Sequence, residues 1–290
     1  MMPPDIEQDA PADAGRRFGG LARLYGPDAP ARLRAAHVAV VGLGGVGSWT
    51  AEALARCGVG ALTLVDLDHI AESNVNRQLH ALTGTLGQSK VDAMAARVAG
   101  INPDCRVTRV DEFVEPGNAA ALLAPELDAV VDCTDQAAAK IAMIAQARAR
   151  RQALVVCGGA GGKTDPLALR AGDLSQATHD ALLAKLRHAL RREHGFPKPR
   201  GGPGKPSRVP RMGVRALWIA QEAILPAAWS RPREAEDDLG AQRPAPAPQG
   251  LSCAGYGSVV TVTAAMGMAA ANEALAMVLA GRGQGGARGD

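Results

Sequence analysis

His37 to Asp68 reads HVAVVGLGGVGSWTAEALARCGVGALTLVDLD, and this stretch decides the fold. His37–Val41 is a short β-branched run that stops at glycines, the pattern of a buried strand. Ser48–Cys57 has helical spacing, and Gly58 and Gly60 close it. Ala61–Val65 is a second strand and ends on Asp66. Between the strands lie Gly42, Gly44, Gly45 and Gly47. Such glycines let backbone approach a phosphate at a helix N-terminus, while a strand-end acid can bind ribose hydroxyls. This unit predicts a nucleotide site but does not choose between ATP and NAD.

The alternation continues on both sides. A helix-like segment covers 20–34, and a helix at 89–99 leads through Asn102-Pro103 to a strand at 106–110. Helical pattern at 118–123, a strand at 129–132, a helix at 137–150 and a strand at 153–157 follow. Strands and helices alternating at this spacing predict an α/β fold: a doubly wound, mainly parallel, Rossmann-like sheet. The expected organisation is a disordered tail at 1–15, an ATP-binding domain at 16–170, a smaller C-terminal extension at 171–280 with a basic helix and loop and a return to the core, and a disordered tail at 281–290. Within the extension, 178–194 is amphipathic with Leu182, Leu183, Leu186 and Leu190 on one face. The Pro/Gly-rich stretches 197–210 and 231–250 read as loops.

Aromatic residues make up only 3% of the 290-residue chain, so its core must be built from small and β-branched aliphatics, as parallel sheets usually are. Five scattered cysteines form no C-x-x-C pair, which argues against a disulfide framework or structural zinc and fits a reducing cytoplasm. The acidic, Pro-rich start lacks a signal peptide's apolar run. The apolar stretch 259–280 contains Asn272 and Glu273, so a buried helix is expected there and no membrane span. Residues 181–220 hold ten Lys and Arg against the single acid Glu193, a local charge of +9 in a chain of net +3. That arm suits a polyanion, although a solvated basic face is the plainer reading.

The choice of nucleotide rests on Asp66-Leu67-Asp68, Asn74-Val75-Asn76-Arg77-Gln78, and Gly87-Gln88-Ser89-Lys90. A site that splits ATP to AMP and pyrophosphate needs cations beside the glycine loop and acids compatible with Mg²⁺. Arg77 and Lys90 are the candidate cations, and Asn74 and Gln78 the neutral donors. Asp132-Cys133-Thr134-Asp135 ends a strand, with Asp135 the candidate Mg²⁺ ligand and helix capping by Thr134 or Asp135 the alternative. As an ordered set, these residues favour ATP over NAD.

GLGGVGSW, DLD, N-x-NRQ, GQSK and DCTD together resemble the ThiF/MoeB/ubiquitin-activating-enzyme superfamily. More narrowly, RRFGGLARLYG, NVNRQLHAL, INPDCRV, GGAGGKTDP, KLRHALRREHG and SCAGYGSVVTVTAAMG resemble its TcdA branch, the tRNA threonylcarbamoyladenosine dehydratases. ThiF and MoeB proteins carry zinc-binding C-x-x-C pairs, and their absence here favours the TcdA branch. The resemblance implies that Gly44 and Asp66 contact adenosine, that Asn74, Arg77, Gln78 and Lys90 contact phosphates, and that Asp135 holds Mg²⁺. It also implies a cytoplasmic homodimer in which Arg17 or Arg23 reaches the partner's ATP. Gln136 stands where the superfamily usually has Asn. The resemblance singles out Cys253 as a persulfide acceptor or a residue near substrate, and a small buried hydrophobe is the other reading. His80 and His179 read as structural.

The implied reaction activates a carboxylate of modified tRNA as an acyl-adenylate, which then cyclises with loss of AMP. One rival is an enzyme that adenylates a ubiquitin-like sulfur carrier. Another is a non-catalytic ATP-binding partner of a cysteine desulfurase. A monovalent cation site and a sulfur-relay partner stay open.

Overall fold

The computed structural model describes residues 12–199, 209–225 and 255–281. Three short helices, α1 (Ala14–Phe18), α2 (Gly20–Tyr25) and α3 (Ala29–Ala35), lead into the first strand, β1 (His37–Val41). The sequence suggested one helical segment over 20–34. The chain breaks it at Gly26, whose φ of +93° no helix tolerates, and Pro27 follows.

Next come α4 (Gly47–Arg56), β2 (Ala61–Val65), α5 (Lys90–Ile101), β3 (Arg106–Val110), α6 (Ala119–Leu122), β4 (Ala129–Asp132), α7 (Ala137–Arg150) and β5 (Leu154–Cys157). Two strands that sequence reading did not find then join: β6 (Leu169–Asp173) and β7 (Arg215–Ile219). Between them lies α8 (Ala181–Glu193), and α9 (Val260–Ala280) ends the described chain.

The seven strands form one sheet in the order β3-β2-β1-β4-β5-β7-β6, parallel except for the β6–β7 pair. The sheet therefore runs across residue 170, and β6 and β7 widen it rather than starting a separate layer. β7 is parallel to β5 from Val155↔Arg215 to Cys157↔Leu217, so the C-terminal part of the chain supplies an inner strand.

Helices cover both faces. Leu33, Leu54, Met94 and Met266 belong to one core, and Met143, Ile144, Leu183 and Leu186 to the other. On α8 the expected leucine face is buried in full: Leu182, Leu183, Leu186 and Leu190. Among the described residues α9 alone has the length and apolarity to cross a membrane. It buries Val262, Thr263, Met266, Gly267, Ala270, Ala271, Ala274 and Leu275 and packs most extensively on α4. The approach is close, because a Cβ on Gly267 would lie 2.5 Å from the Val46 carbonyl oxygen. Thr50 locks the crossing by donating its hydroxyl to the Gly267 carbonyl at 3.1 Å.

Candidate functional site

Strand order reverses between β1 and β4, and ligands of open α/β sheets bind in the crevice outside the strand ends at such a point. The glycine loop leaves β1 there, and the 133–135 turn leaves β4 there. They touch: a Cβ on Gly42 would lie 3.1 Å from the Cys133 carbonyl and the Thr134 nitrogen, and Gly42 has φ +84°. Gly47 is glycine for a different reason, since its Cβ would fall 1.7 Å from the Gly42 oxygen. Gly44 has no atom within 4 Å of its Cβ position, so its open face is left for a ligand. Gly45 faces Thr263 of α9 at 3.0 Å and the Arg77 stem at 3.4 Å.

Asp66 stands at the end of β2, 7% exposed. Its Oδ2 accepts the Leu43 N–H at 2.6 Å, and its Oδ1 accepts the Asp68 N–H at 2.9 Å. Burial pushes its carboxyl up, opposed by the nearby Lys90 ammonium and these two N–H groups. Lys90 opens α5, and its Nζ lies 2.7 Å from Asp68 Oδ2 and 3.8 Å from Asp66 Oδ1. Lys90 and both predicted acids thus form one group beside the glycine loop, with Lys90 and Asp66 buried and Asp68 exposed.

Asn74, an expected phosphate donor, also has a structural task. It is buried, and its Oδ1 accepts the Ala71 N–H at 3.1 Å, closing the turn that carries Arg77. The Arg77 guanidinium donates to the Ser73 carbonyl at 2.6 Å and to Asn76 Oδ1 at 3.0 Å. Its own carbonyl accepts from Trp49 Nε1 and Thr263 Oγ1. Gln78 is buried with Oε1 unpartnered, as are Ser89 Oγ and both ring nitrogens of His80. Burial first, and then the Lys90 charge, push His80 down to about 4, so its ring is neutral. Orphaned buried polar atoms flanking Lys90 fit a site completed by a polar ligand.

At the other lip, Asp132 and Lys140 form a fully buried ion pair, Nζ to Oδ1 3.0 Å. Thr134 donates its N–H and hydroxyl to the same oxygen, at 3.1 and 2.8 Å. Neither Thr134 nor Asp135 caps α7; Gln136 holds that position without a side-chain bond. Asp135 is half-buried at the turn. No cluster of three His, Cys, Asp or Glu suited to a metal exists among the described residues. A Mg²⁺ here fits only the pattern in which phosphates supply most ligands and the protein adds one or two carboxylates.

Arg17 lies elsewhere. Its Nη1 donates at 2.6 Å to the Ile101 carbonyl at the end of α5, where the chain leads into the start of β3, whereas the glycine loop follows the far end of β1. Cys253, Arg200, Lys205 and Arg208 lie outside the described residues, as do the termini and the 231–250 stretch. Burial pushes the Cys57 thiol up and the Cys105 thiol up to about 11; Cys157 is buried 4.0 Å from Cys133, and its thiol too is held protonated. None of these three offers a thiolate nucleophile. Among the described cations of the basic stretch, four are occupied: Arg215 grips Glu273 through two bonds of 2.8 Å, Arg187 donates to the Ala177 carbonyl, Arg191 to that of Pro197, and Arg192 pairs with Glu193. Lys185, Lys198 and Arg211 are exposed.

Sequence reading missed Thr263, Trp49 and Lys140. Each acts over long sequence separation: Trp49 and Thr263 lie inside quoted motifs that give them no role, and no motif marks Lys140.

A glycine loop at a switch point, a strand-end acid under it and a buried lysine beside it define a nucleotide-binding α/β protein. The chain belongs to the ThiF family, whose model matches residues 19–286. A relative from Escherichia coli K12, tRNA threonylcarbamoyladenosine dehydratase, is 40% identical over 93% of this chain and 96% of its own. The Haemophilus influenzae protein of that name is 44% identical over 73% of this chain and 78% of its own. The E. coli enzyme's structure in complex with ATP superposes with TM-score 0.76 at 38% identity, covering 93% of this chain and 96% of that one.

Proposed function

We propose that this protein is an ATP-dependent tRNA threonylcarbamoyladenosine dehydratase. The observation that carries the reading is similarity along nearly the whole chain to an enzyme of that name, one solved with ATP. Relatives that serve molybdopterin synthase match only 39% of this chain, which weighs against the carrier-protein rival.

In this reading ATP lies over Gly44, with its adenosine on the Asp66 side and its phosphates toward Arg77 and Lys90. A carboxylate oxygen of the modified nucleoside attacks the α-phosphate and pyrophosphate leaves. Arg77 and Lys90 stabilise the charge that grows on the phosphates, which is where fixed cations lower a barrier most. A nitrogen or oxygen of the same modification then attacks the acyl carbon, closes a ring and expels AMP. Because the nucleophile is already tethered, positioning suffices and no enzyme thiolate is required. Mg²⁺, held by the phosphates and Asp135, would neutralise phosphate charge.

Further parts of the reading rest on the family resemblance. The working unit is a homodimer in the cytoplasm, and Arg17 serves the partner's ATP; its position remote from its own glycine loop agrees with that. A monovalent cation would need carbonyl donors, and the His179 and Gln221 carbonyls are already taken by the Lys163 ammonium. The basic stretch holds the tRNA backbone without reading its sequence. A sulfur-relay role for Cys253 with a cysteine desulfurase is the second reading, carried by the SCAGYG motif alone.

The test is nucleoside mass analysis of modified tRNA incubated with protein and ATP. A product lighter by one water, with matching AMP, is expected. AMP formed only with a ubiquitin-like carrier would overturn the proposal.

A further inference from the structure

A cavity of about 570 Å³ opens beside Arg77. The Glu72–Arg77 turn forms one wall, and Gly255–Ser258 the other. Its size lies within the roughly 300–1,000 Å³ typical of small-molecule sites. Two contacts join it to the glycine loop: the Arg77 stem covers Gly45, and the Arg77 carbonyl accepts from Thr263, which also packs on Gly45. Asn76 Nδ2 donates at 2.8 Å to the Ser258 carbonyl and so ties the two walls together. Tyr256 packs on Gly162: a Cβ there would lie 3.1 Å from its ring, and Gly162 N–H donates to the Gly257 carbonyl at 2.8 Å.

We propose that this cavity receives the modified base itself, with Tyr256 as the stacking platform and Arg77 at the carboxylate end. The inference rests on the dehydratase reading and locates its second substrate. A threonylcarbamoyl-adenine is a long, flat ligand, planar at the purine and ureido groups and anionic at one tip. The cavity lining offers matching groups: the Tyr256 ring, polar Asn76 and Ser73, and Arg77, whose stem packs on Gly45 while its guanidinium donates to the Ser73 carbonyl and Asn76 Oδ1. Proteins that read single-stranded RNA loops splay a base out and stack it on an aromatic side chain. Here that mode carries the carboxylate toward the phosphate site and leaves the basic stretch to hold the rest of the tRNA. Tyr256 is thus a specificity residue rather than a catalytic one.

The experiment uses full-length protein and two anticodon stem-loop RNAs, one carrying the threonylcarbamoyl group and one lacking it. Dissociation constants are measured with a non-hydrolysable ATP analogue, and KM and kcat from AMP release. Wild type should prefer the modified RNA. Tyr256→Ala should lose that preference and raise KM about tenfold or more, as loss of one base–aromatic stack does. Affinity for the nucleotide and for unmodified RNA should stay. Tyr256→Phe should keep the preference, because the ring remains. Ser73→Trp, at an exposed wall position, should plug the cavity and raise KM while still binding nucleotide. If Tyr256→Ala fails to bind nucleotide, Ser73→Trp decides alone. Full preference for modified RNA in a nucleotide-binding Tyr256→Ala or Ser73→Trp protein overturns the cavity assignment. No AMP from wild type with modified tRNA overturns the dehydratase reading instead.

Discussion

Replacing Lys140 by Met should destabilise the protein by about 3 kcal/mol, within the roughly 3–5 kcal/mol cost of breaking a buried ion pair from one side. Lys140 and Asp132 are both 0% exposed, with the ammonium 3.0 Å from Oδ1 and 3.3 Å from the Asp132 carbonyl. The variant leaves a carboxylate in the core with no cation. Thr134 still gives Oδ1 two donors, which places the loss at the low end, but Oδ2 has no partner at all. Adding Asp132→Asn removes the stranded charge and should restore most of the lost stability. Urea unfolding followed by circular dichroism measures both variants. With a slope near 3 kcal/mol/M, the single change should lower the midpoint by about 1 M. A single variant within about 1 kcal/mol of wild type would refute the argument, and so would a double variant no more stable than the single. Turnover should fall as well, because the pair anchors the turn that carries Asp135.

Lys90→Ala and Arg77→Ala should each lower AMP release by on the order of a hundredfold while the protein stays folded; unchanged rates in both would remove these cations from the chemistry. His80→Leu tests the buried neutral imidazole. Its folded pKa of about 4 lies below the ordinary 6.5, so the unfolded chain takes up the proton first. Wild-type stability should therefore fall by about 3 kcal/mol as pH drops from 6.5 to 4, and that slope should flatten in the variant. An identical acid limb in both proteins would count against it. Neutralising Arg200, Lys205, Arg208 and Arg211 together should lower the logarithmic salt slope of tRNA binding by about 3 and leave ATP affinity intact; an unchanged slope would make the stretch a solvated loop.

The strands that carry the site could be read to the residue, because each is a buried run with hard punctuation. β1 and β2 end at Gly42 and Asp66, and β4 ends at the first acid of DCTD. β6 and β7 escaped because their local signals are poor. LRAGD has no alternation and ends in two turn-like residues, while RALWI sits behind a Pro/Gly-rich basic stretch that dominates any window. Their pairing is tertiary, between segments some 40 to 60 residues apart. The site divides in the same way. Asp66, Asp68 and Lys90 meet because short motifs close on one another over two turns. Asn74 has a task in the turn that the sequence did not announce, since its Oδ1 accepts from Ala71. Lys140 carries no signal within the 137–150 helix, and only the packing of α7 against β4 puts it on the buried side.

The contact between α9 and the glycine loop bears on how the protein is made. Gly45 and its covering residue Thr263 are separated by most of the chain, and so are Val46 and Gly267. During synthesis, α4 and the first strands emerge early, with the seat for α9 still bare. At about 5–20 residues per second, roughly ten to forty seconds pass before Thr263 is added, and longer before the helix clears the ribosome. Throughout that interval the loop lacks its roof and Arg77 lacks one of the two donors to its carbonyl. The glycine loop is therefore covered late in synthesis, and a nascent chain that stops short of α9 should hold that loop less firmly.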